Sequence, residues 1–343
     1  MKWTFLSVCF LSASLFAKGG AAAHETVKSP AQVQEELDQA QTDYDIAKQM
    51  FSPYYAGPLL TGSAHNAPVG HVNIQPYLFI TDTYGAYTGN RKVVNVPDFW
   101  TINPVFIFQT GIMNWLDVQF TPQGLYNTTR NQGTTNWGDM QVTLGFQLMK
   151  ETPYIPALRF TFSETFPFGR YDHLNPDNLG TDATGAGSYQ SQFNLNISKV
   201  LWTFPLHPMQ VRGNLVYIIP SNVDVNSFNS YGGGYGTSGT VSPGNQLQLY
   251  GSVEVSIVQK WVFALDVVYK NFNKTTFSGT PGITRTGLPA SVGGPSGDQF
   301  SLAPAIEYNP SAVQQFIVGP WFTVFGRNSA AFVSLILSYE HYF

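Results

Sequence analysis

Cysteine is almost absent from this chain of 343 residues, because Cys9 is the only one. Cys9 lies in an apolar run near the amino terminus that is typical of an export signal, so we expect a mature chain without thiols. Lipid attachment at Cys9 is the alternative, although the residue stands too early, in the middle of the run. A thiol-free mature chain excludes disulfides, cysteine-ligated metals and cysteine nucleophiles.

The export signal itself consists of Lys2, an apolar run that ends at Ala17, and three alanines that end at Ala23. We predict a signal peptide over residues 1–23, with cleavage after either Ala17 or Ala23. A retained helical anchor is the competing interpretation, but such an anchor needs ~20 apolar residues.

Charge and long apolar runs are also scarce. Only 11% of residues are charged and the net charge is -4, and no cluster of lysine and arginine predicts a nucleic-acid partner. Hydrophobic residues make up 43% and aromatic residues 15%, yet no stretch after Ala23 is a candidate transmembrane helix. Apolar residues must therefore alternate with polar ones, as they do in barrels that face lipid.

Residues 24–68 do not alternate, and we predict a periplasmic helical segment and linker there. Ser29 as N-cap, Pro30 in the first turn and Gln32 as the third residue after the cap are typical of a helix start. One helical stripe then carries the apolar residues Val33, Leu37, Ala40, Tyr44, Ala47 and Phe51. Three interpretations remain open: a helix packed on its own barrel, a helix that forms a homo-oligomer or binds a partner, and a plug that enters the barrel mouth.

Residues 69–343 follow period two and predict a transmembrane β-barrel. Twelve runs are present. The first four start near His71, Ile102, Trp115 and Asp139, and the others cover 155–166, 189–201, 209–219, 246–258, 261–272, 299–308, 313–325 and 331–343.

The connections alternate between short and long, as in outer-membrane barrels with periplasmic turns and extracellular loops. Short links fall at Asn114, 152–154, 204–208, Lys260 and 309–312. Long links fall at 88–101, 128–138, 167–187, 220–245 and 273–298, with a modest one at 326–330. An even number of strands closes a barrel without an open edge in lipid. We therefore predict a twelve-stranded antiparallel up-and-down outer-membrane barrel; a soluble sandwich would not explain this alternation.

The face opposite the lipid-facing residues carries amide and hydroxyl side chains and a few charges, so it predicts a narrow polar lumen. The predicted pore-lining residues are Asp117, Gln119, Asp139, Gln141, Arg159, Gln190, Gln192, Asn194, Arg212, Gln248, Glu254, Asp266 and Glu307. The two arginines among these carboxylates could pair across the interior and hold the wall rigid. A constriction that selects solutes is the alternative.

The final strand alternates apolar residues and ends in Phe343, which resembles the tail by which outer-membrane barrels are recognised for insertion. We assign Tyr339, His341 and Phe343 to this insertion signal, with the barrel-assembly machinery and outer-membrane lipids as partners.

A catalytic barrel is the remaining class. Outer-membrane phospholipase A also has twelve strands, but its His-Asp-Ser-Asn-Gly type of motif is absent here. The six histidines are spaced neither for pairing with a serine nucleophile nor for a metal cluster. We expect neither catalysis, nor a metal, nor a cofactor.

Several short motifs resemble the MetA-pathway phenol-degradation family of transporter-like outer-membrane barrels. The resemblance covers roughly residues 100–200 and consists of the segment from Gly111 to Val118, Gly138-Asp139, Leu144-Gly145 and the segment from Phe166 to Gly169. Phe146 stands where the family often has a basic residue, and the heptad helix has no counterpart. The resemblance implies uptake of small, often apolar or aromatic compounds.

The sequence thus favours a channel or transporter for passive uptake of small molecules. A structural or adhesive surface barrel with a closed lumen is the alternative, and a lipase-type outer-membrane enzyme is a third interpretation.

Overall fold

The structure, a computed structural model, describes residues 28–50, 55, 57–202 and 207–343, and the side chains of 46–50 are not described. The predicted signal peptide, Cys9 and Phe51 lie outside these residues. The chain divides into two compact units, Met1–Asp43 and Tyr44–Phe343. Within the described residues, no helix has the length and apolar character needed to cross a membrane.

Helix α1 spans Pro30–Met50, where the apolar stripe predicts a helix. Its start has the predicted capping box: the Ser29 backbone N–H donates to Gln32 Oε1 at 2.9 Å, and the Gln32 N–H donates to Ser29 Oγ at 3.3 Å. These two bonds satisfy backbone donors that would otherwise have no acceptor at the helix start. Val33 and Leu37 are exposed within their unit, each at 43%.

Seventeen strands occur in the described part of the chain. They are β1 (Val72–Tyr87), β2 (Val93–Met113), β3 (Leu116–Thr121), β4 (Gly124–Thr129), β5 (Gln132–Trp137), β6 (Met140–Met149), β7 (Ala157–Phe166), β8 (Gln190–Leu201), β9 (Met209–Pro220), β10 (Val223–Asn226), β11 (Ser238–Ser242), β12 (Gln246–Val258), β13 (Trp261–Phe272), β14 (Thr276–Thr280), β15 (Gly297–Tyr308), β16 (Gln314–Arg327) and β17 (Ser329–Tyr342).

Twelve of these strands form a closed antiparallel barrel in the order β1, β17, β16, β15, β13, β12, β9, β8, β7, β6, β3 and β2, and β1 pairs with both β17 and β2. Closure leaves no strand edge, so every wall strand has two hydrogen-bonded neighbours. The predicted fold class is therefore confirmed, including the strand count and the N-terminal helix.

The strand limits differ from the predicted ones mainly at β2, which begins at Val93 and not near Ile102. The third wall strand is interrupted after β3 at Pro122, because proline lacks the N–H that a ladder needs. It resumes as β4, and β4 pairs with β5 in a hairpin that overlaps the predicted long loop at 128–138.

Long loops also contain ordered structure of their own. Strands β10, β11 and β14 form a separate three-stranded sheet, and Val223, Val225 and Val241 form a small core there. At the same end of the barrel, Arg91 makes a bidentate pair with Asp298, with contacts of 2.6 and 2.8 Å. The long loops predicted from the alternating connections thus fold on one another.

The barrel wall has two distinct faces. Outward side chains are large and apolar, as at Leu215, Tyr217, Phe263, Leu335 and Leu337, all of which are exposed. Their neighbours in sequence are buried inside. This period-two pattern is that of a wall with lipid on its outer face.

Candidate functional site

An extended segment, residues 57–68, crosses the inside of the barrel before the chain enters β1. We call it the crossing segment. It has no regular secondary structure, so its backbone groups need side-chain partners in place of a ladder. The wall strands supply these partners from several directions.

Strands β13 and β9 hold the first part of the crossing segment. Thr61 donates its backbone N–H and its hydroxyl to Asp266 Oδ1 at 3.0 and 2.5 Å, and the Leu60 N–H donates to Asp266 Oδ2 at 3.3 Å. Gly62 donates its N–H to Asn214 Oδ1 at 2.7 Å, and its carbonyl accepts from Asn214 Nδ2 at 3.2 Å. The Asp266 carboxylate is therefore used by a backbone that lies inside the lumen.

Strands β6, β7 and β3 hold the second part. The Asn66 N–H donates to Gln147 Oε1 at 2.8 Å, and the Ala67 N–H donates to Asp117 Oδ2 at 3.0 Å. Arg159 links the crossing segment to β3, because it donates to Asn66 Oδ1 and to Asp117 Oδ1, each at 2.7 Å. The Arg159 and Asp117 side chains are 6% and 0% exposed, so the ion pair is buried and depends on the crossing segment for part of its hydrogen bonding.

The barrel wall packs closely against the crossing segment, and several of the wall residues in contact with it are alanine or glycine. Leu59 packs into a core cluster, whose other buried members are Ala264, Ala303, Ala305, Ile317 and Ile336. On the opposite wall, a Cβ at Gly111 would lie 2.3 Å from the Ala67 carbonyl oxygen. Glycine is needed there because any side chain would overlap the backbone of the crossing segment.

A second ion pair lies beside the start of the crossing segment. Arg212 Nε is 2.8 Å from Glu254 Oε2, and the side chains are 7% and 0% exposed. Glu307, also fully buried, contacts the Glu254 carboxyl group. Tyr55 donates its hydroxyl to the Pro208 carbonyl at 2.8 Å, and burial raises the pKa of Tyr55, which keeps it a donor.

A cavity of about 460 Å³ lies in the lumen against the crossing segment. One side of its wall is polar, with Gln119, Gln141, Gln192, Asn194 and Gln248. The other side is apolar. Its members, on β1 and β2, are Tyr77, Phe79, Val105 and Ile107. Val216 of β9 lies among the amides, where its register partners are Asn194 and Gln248.

The predicted pore-lining residues fall into three places. Those that line the cavity are Gln119, Gln141, Arg159, Gln192, Asn194, Arg212 and Gln248. Asp117, Asp266, Glu254 and Glu307 are buried around the crossing segment or beside the Arg212 pair.

Two predicted pore residues lie near the long-loop end of the wall. Asp139 accepts from the Gly169 and Ala186 N–H groups at 2.9 and 2.8 Å and so binds a long loop. Gln190 begins β8 and does not line the cavity.

Sequence reasoning missed the crossing segment and the apolar side of the lumen. The alternation in β1 places Tyr77 and Phe79 on the inward face, so that signal was present. The crossing segment gave no comparable signal, because it has neither helical nor strand periodicity.

Of the predicted helix residues, Tyr44 has contacts within the same unit as the barrel. In the helix, Tyr44 donates its hydroxyl to Glu151 Oε1 at 2.8 Å and packs edge-on against Trp202; burial and this bond to Glu151 raise the pKa of Tyr44. Ala40 also lies within helix α1, and so does the backbone of Ala47.

The terminal strand is tied to the first one. The Phe343 N–H donates to the Val72 carbonyl at 2.9 Å, and the Val72 N–H donates back at 3.3 Å. The side chains of this strand also contact one another: the His341 ring packs against the Phe343 ring, with centroids 4.2 Å apart. Tyr339 lies 6.2 Å from His341 by the same measure.

Within the described ranges, no group of three or more His, Cys, Asp or Glu side chains is arranged to hold a metal ion.

Comparison with known proteins identifies similar folds. No protein-family model and no curated protein match the sequence. Among solved structures, an outer-membrane channel from Pseudomonas putida F1 matches with a TM-score of 0.58 and 14% identity, over 84% of this chain and 100% of that one. The chain therefore has the fold of an outer-membrane barrel.

Two further solved structures match more weakly. The translocator domain of the autotransporter NalP from Neisseria meningitidis has a TM-score of 0.45 and 10% identity, over 91% of this chain and 97% of that one. The NanC porin has a TM-score of 0.38 and 9% identity, over 77% and 98%.

Proposed function

We propose that this chain is an outer-membrane channel for passive uptake of small molecules, without catalysis. The observation that carries the proposal is the cavity of about 460 Å³ inside a closed twelve-stranded barrel. Concave sites of this size, with apolar walls and a few placed polar groups, are typical of small-molecule binding. The matched Pseudomonas putida structure is itself an outer-membrane channel, which supports the same role.

The solute class follows from the two-sided wall. Tyr77 and Phe79 stack with centroids 5.7 Å apart and face amides such as Gln192 and Gln248 across the cavity. Such a wall suits small molecules with both an apolar ring and a polar group. It also agrees with the uptake of aromatic compounds implied by the resemblance to the MetA-pathway family, to which we propose the chain is related.

The crossing segment acts as the constriction in this proposal. It occupies the lumen between the cavity and the short-turn end, which we place in the periplasm together with residues 24–68; the long loops are extracellular and residues 69–343 form the membrane domain. A solute leaving the cavity must pass beside the crossing segment or displace it. The hydrogen bonds that the crossing segment makes with Asp266 and Asn214 then set how often it moves.

Single-channel recording in planar bilayers tests this function. We would compare the mature wild-type chain with a Thr61→Cys, Asp266→Cys variant, in which a disulfide could fix the crossing segment to β13. Because Cys9 lies in the predicted signal peptide, no other thiol would compete. We expect discrete conductance that falls on oxidation and returns on reduction, with Thr61→Cys alone as the matched control.

These recordings test the channel function and the movement of the crossing segment separately. Absence of discrete conductance in every variant would contradict the channel and favour the second candidate, a structural or adhesive barrel whose lumen the crossing segment keeps closed. Equal conductance in the oxidised and reduced double variant, with the disulfide verified by gel mobility, would retain the channel but contradict a moving crossing segment.

The N-terminal helix and the C-terminal residues have proposed roles outside the lumen. Exposed Val33 and Leu37 support homo-oligomer formation through helix α1, and crosslinking of the mature chain with and without residues 24–57 tests it. An unchanged monomer in both would contradict oligomer formation. Tyr339, His341 and Phe343 remain the proposed insertion signal for the barrel-assembly machinery.

A further inference from the structure

A single lysine stands out on the inner face of the barrel. Lys270 follows Val262, Ala264, Asp266 and Val268 in the inward series of β13, and its register partners are Gln248 and Gln299. The two lumenal arginines, Arg159 and Arg212, are in ion pairs. In the described part of the chain no ion pair includes Lys270.

Lys270 instead contacts an aromatic ring. Its Nζ lies 5.3 Å from the centroid of the Trp321 ring, a distance at which the ring face attracts a cation. A lysine ammonium has three N–H donors, and a ring face satisfies none of them as an oxygen would. No oxygen atom of the described residues accepts a hydrogen bond from Lys270.

Two inward carboxylates on β13 and the neighbouring β12 are engaged with other groups. Asp266, on the same face of β13, accepts three hydrogen bonds from the crossing segment. Glu254 is paired with Arg212. Lys270 is therefore a positive charge in the lumen that lies beyond these acidic groups, toward the long-loop end of β13.

The aromatic neighbour is fixed in place. The Trp321 indole N–H donates to Ser301 Oγ at 2.9 Å, and its ring packs edge-on against Phe332 with centroids 4.6 Å apart. Trp321 also packs, with Tyr77 and Phe79, on the apolar cluster that contains Leu59. An apolar surface thus runs from the cavity wall to the lysine.

We propose that Lys270 and Trp321 form a binding site for small aromatic carboxylates in the lumen, beyond the cavity toward the long loops and next to the cavity-lining Gln248. The carboxylate of the solute accepts hydrogen bonds from the Lys270 ammonium, since charge-assisted bonds of this kind are the strong ones. Its ring packs against Trp321 and Phe79. This inference deepens the proposed channel function by naming a solute class, but binding is measurable without conduction.

Isothermal titration calorimetry on the detergent-solubilised full mature chain tests the site. The probes are benzoate, its neutral isostere benzamide, and acetate, which lacks the ring. We expect benzoate to bind about tenfold more tightly than benzamide, because only benzoate carries a negative charge that pairs with the Lys270 ammonium. We expect acetate, which lacks the ring, to bind more weakly than benzoate. Equal affinities for benzoate and benzamide, or no binding of benzoate, would overturn the proposal.

Substitutions test whether Lys270 and Trp321 are responsible for the binding of benzoate and for its preference over benzamide. Lys270→Gln should remove the preference for benzoate over benzamide, and Lys270→Arg should keep it. Trp321→Leu should weaken the binding of benzoate and of benzamide by the same factor, so the ratio of the two affinities should not change. Lys274→Gln is the matched control, because Lys274 is exposed beyond the end of β13 and should leave both affinities at the wild-type level.

Each variant is first checked for a folded barrel by its heat-dependent mobility on gels. A folded Lys270→Gln variant that still prefers benzoate would contradict the role of the lysine. Loss of conductance with intact benzoate binding would contradict the channel and leave this site standing.

Discussion

The short-turn side of the lumen and the cavity beyond it are built from different chemistry. On the short-turn side, Asp117, Arg159 and Asp266 are buried, and each is hydrogen-bonded to the crossing segment. On the cavity wall away from the crossing segment, polar side chains include neutral amides such as Gln192 and Asn194. Buried charges occur where the chain itself covers them, because a buried charge without partners is strongly destabilising.

Substitutions on the short-turn side and substitutions around the cavity should differ in their effect on stability. A side chain on the short-turn side satisfies groups of the crossing segment, so its removal leaves those groups without partners. A side chain that faces the cavity can exchange protein contacts for water. The two regions should therefore respond unequally to equivalent changes.

Arg159→Met should have the largest effect. It leaves Asp117 buried without its cation and removes the donor to Asn66, so we expect the free energy of unfolding to fall by about 3–5 kcal/mol. Urea unfolding in lipid vesicles, followed by tryptophan fluorescence, measures it.

The matched control for Arg159 is Arg285→Met, because Arg285 pairs with Asp177 at 2.9 Å in an exposed position. That pair should contribute ~1 kcal/mol or less. Equal losses in the two variants would show that burial around the crossing segment has no special role.

Gly111→Ala should come next. Its new methyl group would overlap the Ala67 carbonyl, so the crossing segment must shift, at about 1–3 kcal/mol. We expect greater protease cleavage within residues 57–68 and a lower unfolding midpoint. In Gly251→Ala, whose Cβ would meet no atom within 4 Å, neither quantity should change; a similar response in both would argue against close packing at Gly111.

Asn214→Ala should have an intermediate effect. The variant loses the bonds to the Gly62 N–H and carbonyl and to Asn196 Oδ1, so the free energy of unfolding should fall by about 1–3 kcal/mol. The same urea titration measures it, and an unchanged midpoint would mean that β9 does not hold the crossing segment.

Asn194→Ala should have the smallest effect. Asn194 lines the cavity, and its Oδ1 has no hydrogen-bond partner among the described residues. A change within about 0.5 kcal/mol is expected. A loss as large as that of Asn214→Ala would remove the contrast between the two regions.

The fold was largely predictable because its signals are local. Period two marks every wall strand, and the largest departures from the predicted limits are the start of β2 and the break at Pro122. The start of helix α1 was equally readable, since Ser29 and Gln32 are three residues apart. The site was predictable in part: alternation put Arg159, Asp266 and Gln248 on the inner face, but it could not say what they would contact.

The sequence by itself determined a twelve-stranded barrel with an apolar outer face, because alternation and turn composition act between near neighbours. Only the tertiary structure decided what occupies the lumen. The crossing segment carries no periodic pattern, and its hydrogen-bond partners on the wall strands are between 50 and 206 residues away in the chain. Whether a lumenal charge finds a partner is decided by such distant contacts, and they leave Lys270 facing the lumen without a carboxylate while Asp266 is bound to the crossing segment.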